Sequence, residues 1–571
     1  MKVVITFLSS MILPAICLAQ APRIESVWPS QNDLNVPLGT NISVVFDTDM
    51  DETTLNDSTF LVFAGFTGKL TGQVIYNDQT RSVTFDPSED FSVGEGVTAV
   101  LTTDIESDDG IPLEKSFAWS FTAIVRGGTR EFVFVGELDS GSDPSSLVLA
   151  DCDADGDNDL VCSNYGSNDI FVFMNEGEGS FRLDSTIVVG ANPSMAIAVE
   201  LGGGSGIDLV TTNAGTHDIS ILRNDGFGQF VPGGMYPVGN HPVGLFGADF
   251  NGDGAIDLAT VNYGGGNVSV LLNDGAGTFF SGYSEYSLGE QPRWLNGGDI
   301  DNDGDFDLIA TVYLQNALQI LANGGDGSFV TGSAYQVADP ISVKLADLNT
   351  DHYLDLAATN YQANNVSVLF NDQSGGYGWP SYYAVNTHPW GIDAADLDGD
   401  GDVDLYAGGY GSNTSLLINE GDGSFGPFLT QIYSRSICSG DIDGDGDLDL
   451  VTANSFAEKI YILENTGTTF AEVESIVLPE HARLEQNFPN PFNSSTNISF
   501  YLPYSGHVTV NVYDIRGRRV RNLLNCALGG GEHTVLWDGT NQAGEASASG
   551  IYFYSLTFNN ISLVNRLTLL E

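Results

Sequence analysis

The chain has 571 residues, with 75 Asp and Glu against 19 Lys and Arg, and its formal net charge is −56. Phosphate groups would be repelled by this charge, which argues against nucleic acid or an anionic membrane surface as a partner. Charged residues nevertheless make up only 16% of the chain, while Gly contributes 68 residues and hydrophobic residues 42%. This composition is typical of a turn-rich folded β protein with several cores, and it excludes an acidic disordered chain.

Residues 1–19 have the features of a secretory signal peptide. Lys2 gives a basic start, an apolar stretch follows, and the small residue Ala19 precedes Gln20. No other stretch has the roughly 18 uninterrupted apolar residues that a transmembrane helix requires. We therefore predict an exported protein without a transmembrane segment.

Four cysteines follow this segment, too few and too unevenly placed for a disulfide scaffold. Either Cys152 and Cys162 form a bridge across an acidic loop, or the cysteines are free; a buried free thiol is the expectation for Cys162 and Cys438.

Residues 20–125 alternate apolar and polar positions with frequent turns, over the length of one immunoglobulin-like sandwich. The run from Val44 to Asp51, followed by Thr54 and Thr59, resembles bacterial Ig-like domains of surface proteins. The segment Arg126-Gly-Gly-Thr-Arg130 is interpreted as a linker that separates this domain from the next.

A repeat of 45–50 residues fills residues 128–478, with acidic runs that start at positions 151, 200, 249, 299, 347, 396 and 441. A period of this length is typical of propeller blades. A proline lies seven residues before each of the first six starts, and Ser434 takes that place in the seventh. Later in each unit a Gly-rich turn such as Asn273-Asp-Gly-Ala-Gly predicts a tight antiparallel connection. Each unit is therefore predicted to form a four-stranded antiparallel blade.

The repeated acidic run resembles the FG-GAP/VCBS repeat family. That resemblance implies a seven-bladed β-propeller with calcium in the loop between the first two strands of each blade. The overall prediction is an all-β chain: an N-terminal Ig-like sandwich, the calcium-loaded propeller and a C-terminal Ig-like sandwich.

The acidic loops are predicted to bind up to six Ca²⁺ ions through side chains at loop positions 1, 3, 5 and 9 and the carbonyl at position 7. The ligands are Asp151, Asp153, Asp155, Asp157, Asp159, Asp249, Asn251, Asp253, Ala255, Asp257, Asp299, Asp301, Asp303, Asp305, Asp307, Asp347, Asn349, Asp351, Tyr353, Asp355, Asp396, Asp398, Asp400, Asp402, Asp404, Asp441, Asp443, Asp445, Asp447 and Asp449.

These six loops are not expected to be equal in affinity. The loop of Asp347 carries an amide at Asn349 and has His352 where the others have Gly, and it is expected to be the weakest site. The unit of Glu200, Gly202, Gly204 and Asp208 has too few ligands and is expected to fold without metal. Calcium is interpreted as a scaffold that takes no part in chemistry.

Ligand-binding residues are predicted on the opposite end of the blades, where the chain enters each first strand. The candidates, which depart from the internal repeat, are His241, Arg293, Trp294, His388, Trp390 and Arg435. Tyr165, Tyr263, Tyr313, Tyr361 and Tyr410 recur 14 residues after the loop starts. Aromatic rings beside such polar groups suit a sugar or an extended peptide, but repeated tyrosines also pack between blades, and both interpretations stay open.

Residues 484–571 contain the series Asn487-Phe-Pro-Asn-Pro-Phe-Asn493, Trp537-Asp-Gly539 and Ser549-Gly-Ile-Tyr-Phe553. This series resembles the C-terminal sorting domain of type IX secretion substrates, although the chain ends in Leu-Leu-Glu where that family often has a basic residue. The resemblance implies the type IX secretion machinery as a partner and the outer surface of a Gram-negative, Bacteroidetes-like bacterium as the location. An ordinary terminal Ig-like sandwich is the alternative.

We expect no catalytic residues, because nucleophile-elbow, metalloprotease and phosphate-loop motifs are absent from the sequence. The favoured function is a secreted or surface-displayed monomer that binds an extracellular glycan or protein in adhesion or capture. The alternatives are a carbohydrate-active enzyme such as a polysaccharide lyase, and a purely structural surface component. Whether residues 131–135 or residues 470–477 complete the last blade stays open.

Overall fold

The computed structural model describes residues 21–129, 131–202, 206–279 and 282–466, and most of 483–570 with short gaps. The predicted signal peptide and residues 470–477 lie outside the described residues. The chain divides into two compact units, Met1–Thr469 and Phe470–Glu571. Regular structure in the described part is β-strand apart from two single-turn 3-10 helices, Glu52–Thr54 and Tyr313–Gln315. No helix among these residues is long and apolar enough to cross a membrane.

The N-terminal domain is a sandwich of two four-stranded sheets, as the sequence predicts. In sheet order, one contains Ile24–Trp28, Ile42–Phe46, Ser82–Pro87 and Gly72–Asn77, and the other Gly68–Lys69, Phe60–Ala64, Gly96–Leu101 and Phe117–Thr122. Alternate side chains of both sheets meet in a core around Phe60, Phe85 and Trp119, which are at most 1% exposed. The Trp119 indole N–H donates to the carbonyl of Pro29, so the largest buried ring leaves no unpaired donor.

The repeat region forms seven four-stranded antiparallel sheets within the described residues, here numbered repeat sheets 1–7. Their strands are Pro144–Ala150, Asp159–Asn164, Asp169–Asn175 and Phe181–Val188 (sheet 1); Pro193–Val199, Asp208–Asn213, Asp218–Asn224 and Phe230–Pro237 (2); Pro242–Ala248, Asp257–Asn262, Asn267–Leu271 and Ser284–Ser287 (3); Pro292–Gly298, Asp307–Val312, Ala317–Asn323 and Phe329–Gln336 (4); Pro340–Ala346, Asp355–Asn360, Asn365–Leu369 and Ser381–Ala384 (5); Pro389–Ala395, Asp404–Gly409, Ser412–Asn419 and Phe425–Tyr433 (6); and Ser436–Gly440, Asp449–Asn454, Lys459–Asn465 and Phe132–Asp139 (7).

The sheets follow one another around a closed, propeller-like ring. The first strand of each contacts the first strand of the next, and Pro144–Ala150 contacts Ser436–Gly440 to join sheet 1 to sheet 7. The second strands are buried along their whole length, as in Asp257–Asn262, because neighbouring sheets cover both of their faces. These strands are therefore apolar on both faces, with small polar residues only near their ends.

The ring is closed by the strand that precedes the repeats. Phe132–Asp139 pairs antiparallel with Lys459–Asn465 and becomes the outer strand of repeat sheet 7. Lys459 forms ion pairs with Glu137 at 3.0 Å and with Asp139 at 2.6 Å across this pair of strands. This pairing answers the question of closure, since the edge of Lys459–Asn465 is already occupied from the N-terminal side.

The N-terminal domain packs directly on the ring. Leu61, Val100 and Ala118, on the outer face of one of its sheets, belong to the same buried cluster as Phe250 and Phe306 of the repeats. The segment 126–130 does not hold the two apart, because the Arg126 N–H donates to the carbonyl of Gly446. The prediction of a separating linker is therefore wrong: an apolar interface makes these domains one unit.

The second unit is a smaller sandwich. One sheet contains Arg483–Leu484, Thr496–Leu502 and Gly531–Trp537; the other contains Arg519–Leu528, Gly506–Asp514, Gly550–Phe558 and Ile561–Leu569. Trp537 and Tyr554 are fully buried, and Phe492 packs against Trp537 with 5.5 Å between ring centroids. Several residues of the sorting-domain resemblance are thus core residues here.

Candidate functional site

The two ends of each repeat sheet carry different groups. At one end lies the acidic loop, together with the hairpin after the third strand, because the Asn175 side-chain amide donates to the carbonyl of Asn158. At the other end the chain enters the first strand, and the Tyr165 N–H donates to the carbonyl of Asp143. A strand of six or seven residues keeps the two ends about 20 Å apart.

Four acidic loops bring three carboxylates together. In each group the ligand oxygens lie within 4.8 Å of one another; the groups are Asp151, Asp153 and Asp159; Asp299, Asp301 and Asp303; Asp396, Asp398 and Asp404; and Asp441, Asp443 and Asp449. The loops at 249 and 347 carry Asn251 and Asn349 at position 3, so they hold one carboxylate fewer. The predicted ranking of the loops by affinity stays a prediction.

Burial raises the pKa of the carboxylates at loop position 9. The pKa is about 7 for Asp159 and about 8 for Asp404 and Asp449, chiefly through loss of solvent, with neighbouring carboxylates adding to it. At position 1 the same causes raise the pKa of Asp299 to about 8. Ionised carboxylates in this environment need a nearby positive charge.

The donor set suits a hard divalent cation. Asp153 Oδ1 is buried and has no hydrogen-bond partner, so it remains available as a ligand. Carboxylate and carbonyl oxygens at short spacing are what Ca²⁺ prefers. These loops could therefore bind metal ions, and the residues that would hold them are those at positions 1, 3, 5 and 9.

The position 9 carboxylate also has a role in the fold that the sequence reasoning missed. In sheet 4, Asp307 Oδ2 accepts the Ile300 N–H at 3.3 Å and Oδ1 accepts the Asn323 N–H at 2.8 Å. The Asn323 side chain then donates to the carbonyls of Phe306 in its own loop and Phe250 in the preceding repeat. We call this arrangement the Asp–Asn clamp.

The clamp recurs in every repeat sheet. The other asparagines that donate across to a preceding loop are Asn175, Asn224, Asn273, Asn371, Asn419 and Asn465. In the sequence these residues appeared only as turn formers; their spacing of about 16 residues after the last loop Asp was the available signal.

In the second repeat an arginine pairs with the position 9 carboxylate. Arg223 Nη1 lies 2.6 Å from Asp208 Oδ2, and the side chain of Asp208 is 2% exposed. The same guanidinium donates to the carbonyls of Gly202, Ala276 and Gly277. The Arg223 guanidinium thus supplies the positive charge that the buried carboxylate of Asp208 requires. This gives a physical reason for the expectation that this repeat folds without metal.

Two loops also contact the N-terminal domain. Lys115 Nζ lies 3.2 Å from Asp303 Oδ2 and 3.0 Å from Asp305 Oδ2. At the 347 loop, His352 adopts the left-handed conformation with φ 68°, and its carbonyl accepts from the Asn32 side chain. His352 thus takes the backbone shape that Gly supplies in the other loops.

At the opposite end, the residue before each repeat proline is a turn residue. Asp143, His241 and His388 have φ of 53°, 58° and 54°, in the left-handed region. Their carbonyls accept the N–H groups of Tyr165, Tyr263 and Tyr410. The candidate histidines therefore have a backbone role besides any contact that their side chains make.

An aromatic row runs across repeat sheets 5, 6 and 7 at this end; it consists of Tyr361, His388, Trp390, Tyr410 and Phe456. The ring centroids are 4.7 Å apart for Tyr361 and His388, 5.9 Å for Tyr361 and Trp390, 5.2 Å for Trp390 and Tyr410, and 5.6 Å for Tyr410 and Phe456. Tyr410 is 39% exposed and Phe456 68% exposed. Phe456 was not among the predicted residues.

Two arginines contact this row. The Arg293 guanidinium lies 5.0 Å from the ring centroid of Tyr263, 4.8 Å from that of Tyr313 and 5.6 Å from that of Trp390. Arg435 lies 5.7 Å from Trp390 and 5.9 Å from Tyr410. Arg293 lies at the start of the first strand of sheet 4 and Trp390 at the start of the first strand of sheet 6. The cluster therefore joins sheets that are not adjacent in the ring.

The remaining candidates are placed differently. Trp294 packs against the apolar cluster between sheets 4 and 5, and its ring makes no aromatic contact with the row among the described residues. The His241 ring contacts the Tyr263 ring beside the cluster, with 5.4 Å between centroids and 53° between the ring planes. Burial, then the charges of His217 and Arg293, lower the pKa of His241, which favours its neutral form.

All four described cysteines, Cys152, Cys162, Cys438 and Cys526, are free. The first three are buried, and burial raises the pKa of the Cys152 thiol. The bridge between Cys152 and Cys162 is therefore not formed in this structure.

Comparison with protein families finds three kinds of domain. Residues 19–123 match a bacterial Ig-like domain, and residues 489–560 match the FlgD Ig-like domain. Residues 249–310, 299–358, 347–407 and 396–452 match the FG-GAP-like repeat. The chain is thus an all-β protein with Ig-like domains and FG-GAP-like repeats in a propeller-like fold. No curated protein matches it.

Solved structures give distant likenesses. A catalytically inactive virginiamycin B lyase from Staphylococcus aureus with quinupristin is 16% identical, with TM-score 0.42, 58% of this chain covered and 99% of that chain. BBS1N in complex with ARL6DN is 12% identical, with TM-score 0.44 and coverage of 58% and 97%. A functionally unknown protein from Desulfotomaculum acetoxidans DSM 771 is 11% identical, with TM-score 0.39 and coverage of 66% and 98%. At these scores the likenesses say nothing about function.

Proposed function

We propose that the chain is an exported, non-enzymatic binding protein that captures an extracellular glycan or protein on the aromatic row. The observation that carries the proposal is a continuous run of aromatic side chains, flanked by two arginines, at the end of the repeat sheets away from the N-terminal domain. Rings whose centroids are 4.7–5.9 Å apart offer stacking surfaces for successive sugar rings or for extended side chains.

Seven blades, each closed by its clamp, would hold this surface in place. Up to six Ca²⁺ ions in the acidic loops would neutralise buried carboxylates and fix the far end of the blades. In this proposal calcium is structural, because about 20 Å of strand separates the loops from the row.

The location proposed is the outer surface of a Gram-negative, Bacteroidetes-like bacterium, or the medium around it. Support comes from the apolar leader of residues 1–19 and from the sorting-domain resemblance of the last unit. The Ig-like domains are of kinds typical of extracellular or surface proteins.

Glycan-array binding by the whole chain tests the proposal, with Trp390→Ala as the test variant and Trp379→Ala as its control. Trp379 is 94% exposed and lies in the hairpin at the acidic-loop end, so it offers an equally large ring on the wrong end. We expect about five- to tenfold weaker binding for Trp390→Ala, since loss of stacking on one ring costs about 1–1.5 kcal/mol. Equal effects of both variants, or no binding to glycans or proteins, would contradict the proposal.

A polysaccharide lyase is the second candidate, and one observation favours it. Arg293 lies beside the phenol rings of Tyr263 and Tyr313, a combination that could neutralise a substrate carboxylate and accept a proton. Appearance of unsaturated sugar ends during incubation with acidic polysaccharides would establish the enzyme and replace the binding proposal.

A further inference from the structure

Arg293 is held in an aromatic setting without an acidic partner. Its guanidinium contacts the rings of Tyr263, Tyr313 and Trp390, and no carboxylate lies within 4.0 Å of it in the part of the chain that the structure describes. Its Nε is buried and has no hydrogen-bond partner. The rings orient the charged group from the sides but leave it electrically uncompensated.

Arg435 also has a buried Nε without a hydrogen-bond partner, but it differs from Arg293 in having an acidic partner. Its Nη1 lies 2.7 Å from Asp143 Oδ1, so its charge is already balanced by the entrance of sheet 1. Two arginines of similar sequence context thus have unequal roles: Arg435 ties sheet 7 to sheet 1, whereas Arg293 keeps its planar set of donors for another group.

The surrounding charge restricts what that group can be. The chain carries −56 overall, which opposes a densely charged polyanion. Asp339, at the entrance of sheet 5, adds a carboxylate at this same end. One isolated anionic group, attached to an otherwise neutral molecule, would meet Arg293 without a large repulsion, because salt screens distant charges beyond about 8 Å.

We propose that the ligand of the aromatic row is a largely neutral glycan that carries an isolated carboxylate sugar, and that Arg293 binds this carboxylate. The inference rests on the proposed function and specifies its ligand. Both arginines contact Trp390, at 5.6 Å and 5.7 Å from its ring centroid. In this proposal the exposed part of the Trp390 ring stacks a sugar ring, while the planar fork of Arg293 reaches the carboxylate attached to the neighbouring sugar. Tyr410 and Phe456 continue the stacking surface outwards.

Calorimetric titration of the whole chain with matched oligosaccharides tests this inference. Three probes are used. They are a neutral glucose oligosaccharide, the same molecule with one glucose replaced by glucuronate, and polygalacturonate as a densely charged polyanion. We expect the single-uronate probe to bind at least tenfold more tightly than the neutral one, and polygalacturonate to gain no such advantage at low salt. A charge-assisted hydrogen bond contributes about 1.5–3 kcal/mol, which corresponds to roughly 10–100-fold.

Arg293→Gln should abolish the preference for the uronate, so that the ratio of the affinities for the uronate and neutral probes falls to about one. Arg293→Lys keeps the charge but loses the planar fork, so it should retain only part of the preference and also covers the case in which the Gln variant fails to fold. Trp390→Ala should weaken both probes alike, and Trp379→Ala should change neither.

The outcomes separate the inference from the proposed function. Equal binding of the neutral and uronate probes to the unsubstituted chain, or a preference that survives in Arg293→Gln, would overturn the carboxylate site while the binding function stands. Binding of acidic peptides with no binding of any glycan would overturn the glycan assignment. If neither glycans nor proteins bind, the proposed function itself fails.

Discussion

Arg223 shows at the scale of one residue how a repeat can lose its metal site. Its guanidinium pairs with the buried carboxylate of Asp208, whose pKa burial raises, and closes onto three carbonyls. The residues at the matching place in other repeats include Met174, Leu272 and Phe370, none of which could supply a charge.

Replacement of Arg223 by Met should lower the stability of the chain by about 3–5 kcal/mol, because Asp208 would be left buried and unpaired. Thermal unfolding measured with calcium and with a chelator should show the same decrease if this repeat binds no metal, as its ligand set predicts. Arg182→Met is the control: Arg182 pairs with Glu176 and Asp184 at the surface, 53% exposed, where such pairs contribute about 1 kcal/mol or less. Equal losses in the two variants would contradict the role of Arg223.

The position 9 carboxylates predict how the calcium-free chain responds to pH. The pKa of Asp257 and Asp404 is about 8 in the folded chain, against 3.8 for an ordinary Asp. Between about pH 4 and pH 8 the folded chain therefore binds more protons than the unfolded chain, and its stability falls as pH rises. A bound divalent cation favours the ionised carboxylates and opposes this fall.

Urea unfolding at pH 5 and pH 8, with chelator and with calcium, measures this effect. We expect the midpoint in chelator to be lower at pH 8 than at pH 5, and calcium to raise it most at pH 8. Asp404→Asn should reduce the pH dependence in chelator, which separates this carboxylate from the general repulsion of a chain of charge −56. The same pH dependence with and without calcium would count against these loops as cation sites.

Neighbouring sheets are joined at the scale of the element by the Asp–Asn clamp. Because each asparagine bonds its own loop and the loop of the preceding repeat, the hairpins are fixed to one another independently of any ion. The clamp is present in the second repeat too, where Asn224 donates to the carbonyls of Cys152 and Ile207, so it does not depend on a complete set of acidic ligands.

Asn323→Ala should destabilise the ring by about 1–3 kcal/mol, because the partly buried carbonyl of Phe306 loses this donor and that of Phe250 is left with the Gly327 N–H. The control is Asp326→Ala at the tip of the same hairpin, where the side chain accepts from Ser328 in solvent. Chemical denaturation in saturating calcium measures both. A loss for Asp326→Ala as large as that for Asn323→Ala would show that the hairpin, and not the clamp, accounts for the effect.

Much of this architecture could be predicted from the sequence because it repeats. The period, the prolines and the Gly-rich hairpins predict the sheets, and the spacing of Asp residues predicts four triads of carboxylates that the structure brings together. Trp294 shows the limit of such reasoning. It follows Arg293 directly, but alternate residues of a strand point to opposite faces, so only one of the two faces the aromatic row.

Two other features, the Arg223–Asp208 pair and the interface of the N-terminal domain, depend on contacts that the repeat pattern does not predict. Arg223 looks in the sequence like any surface arginine, and the charge partner of Asp208 becomes visible only after folding. The strands of the N-terminal domain have an alternating pattern, so their outer face would be expected to be exposed to solvent. Three residues of that face are buried against the ring instead: Leu61, Val100 and Ala118. No motif in the sequence indicates that the repeat ring covers these residues.

At the scale of the whole molecule, the N-terminal domain is attached to the acidic-loop end of the ring. The Ala118 N–H donates to the carbonyl of Gly304, and the Asp151 N–H donates to the carbonyl of Phe66. A cavity of about 430 Å³ remains between the domain and the ring, where Lys344 pairs with Asp393. Since these bonds are made by the loops themselves, the attachment depends on loop conformation.

Chelation should therefore loosen this attachment before it unfolds the domain. We expect faster deuterium exchange in peptides that contain Ala118 and Arg126 when the metal is removed, because their acceptors belong to acidic loops. The strand Ile42–Phe46, in the core of the same domain, serves as the internal control and should not change. No change at Ala118, or equal acceleration in both peptides, would contradict a link between the loops and the domain interface.

The pairing of Phe132–Asp139 with Lys459–Asn465 sets an order of events during synthesis. Asp139 and Lys459 are 320 residues apart in the chain, so the earlier strand waits unpaired until nearly the whole ring has been made. Such a long-range contact is slow to form, and until it forms the unpaired edge of Phe132–Asp139 is prone to aggregation. Chains cut short before the seventh sheet would keep Phe132–Asp139 without its partner strand, and this open edge could pair with the same edge of a second fragment.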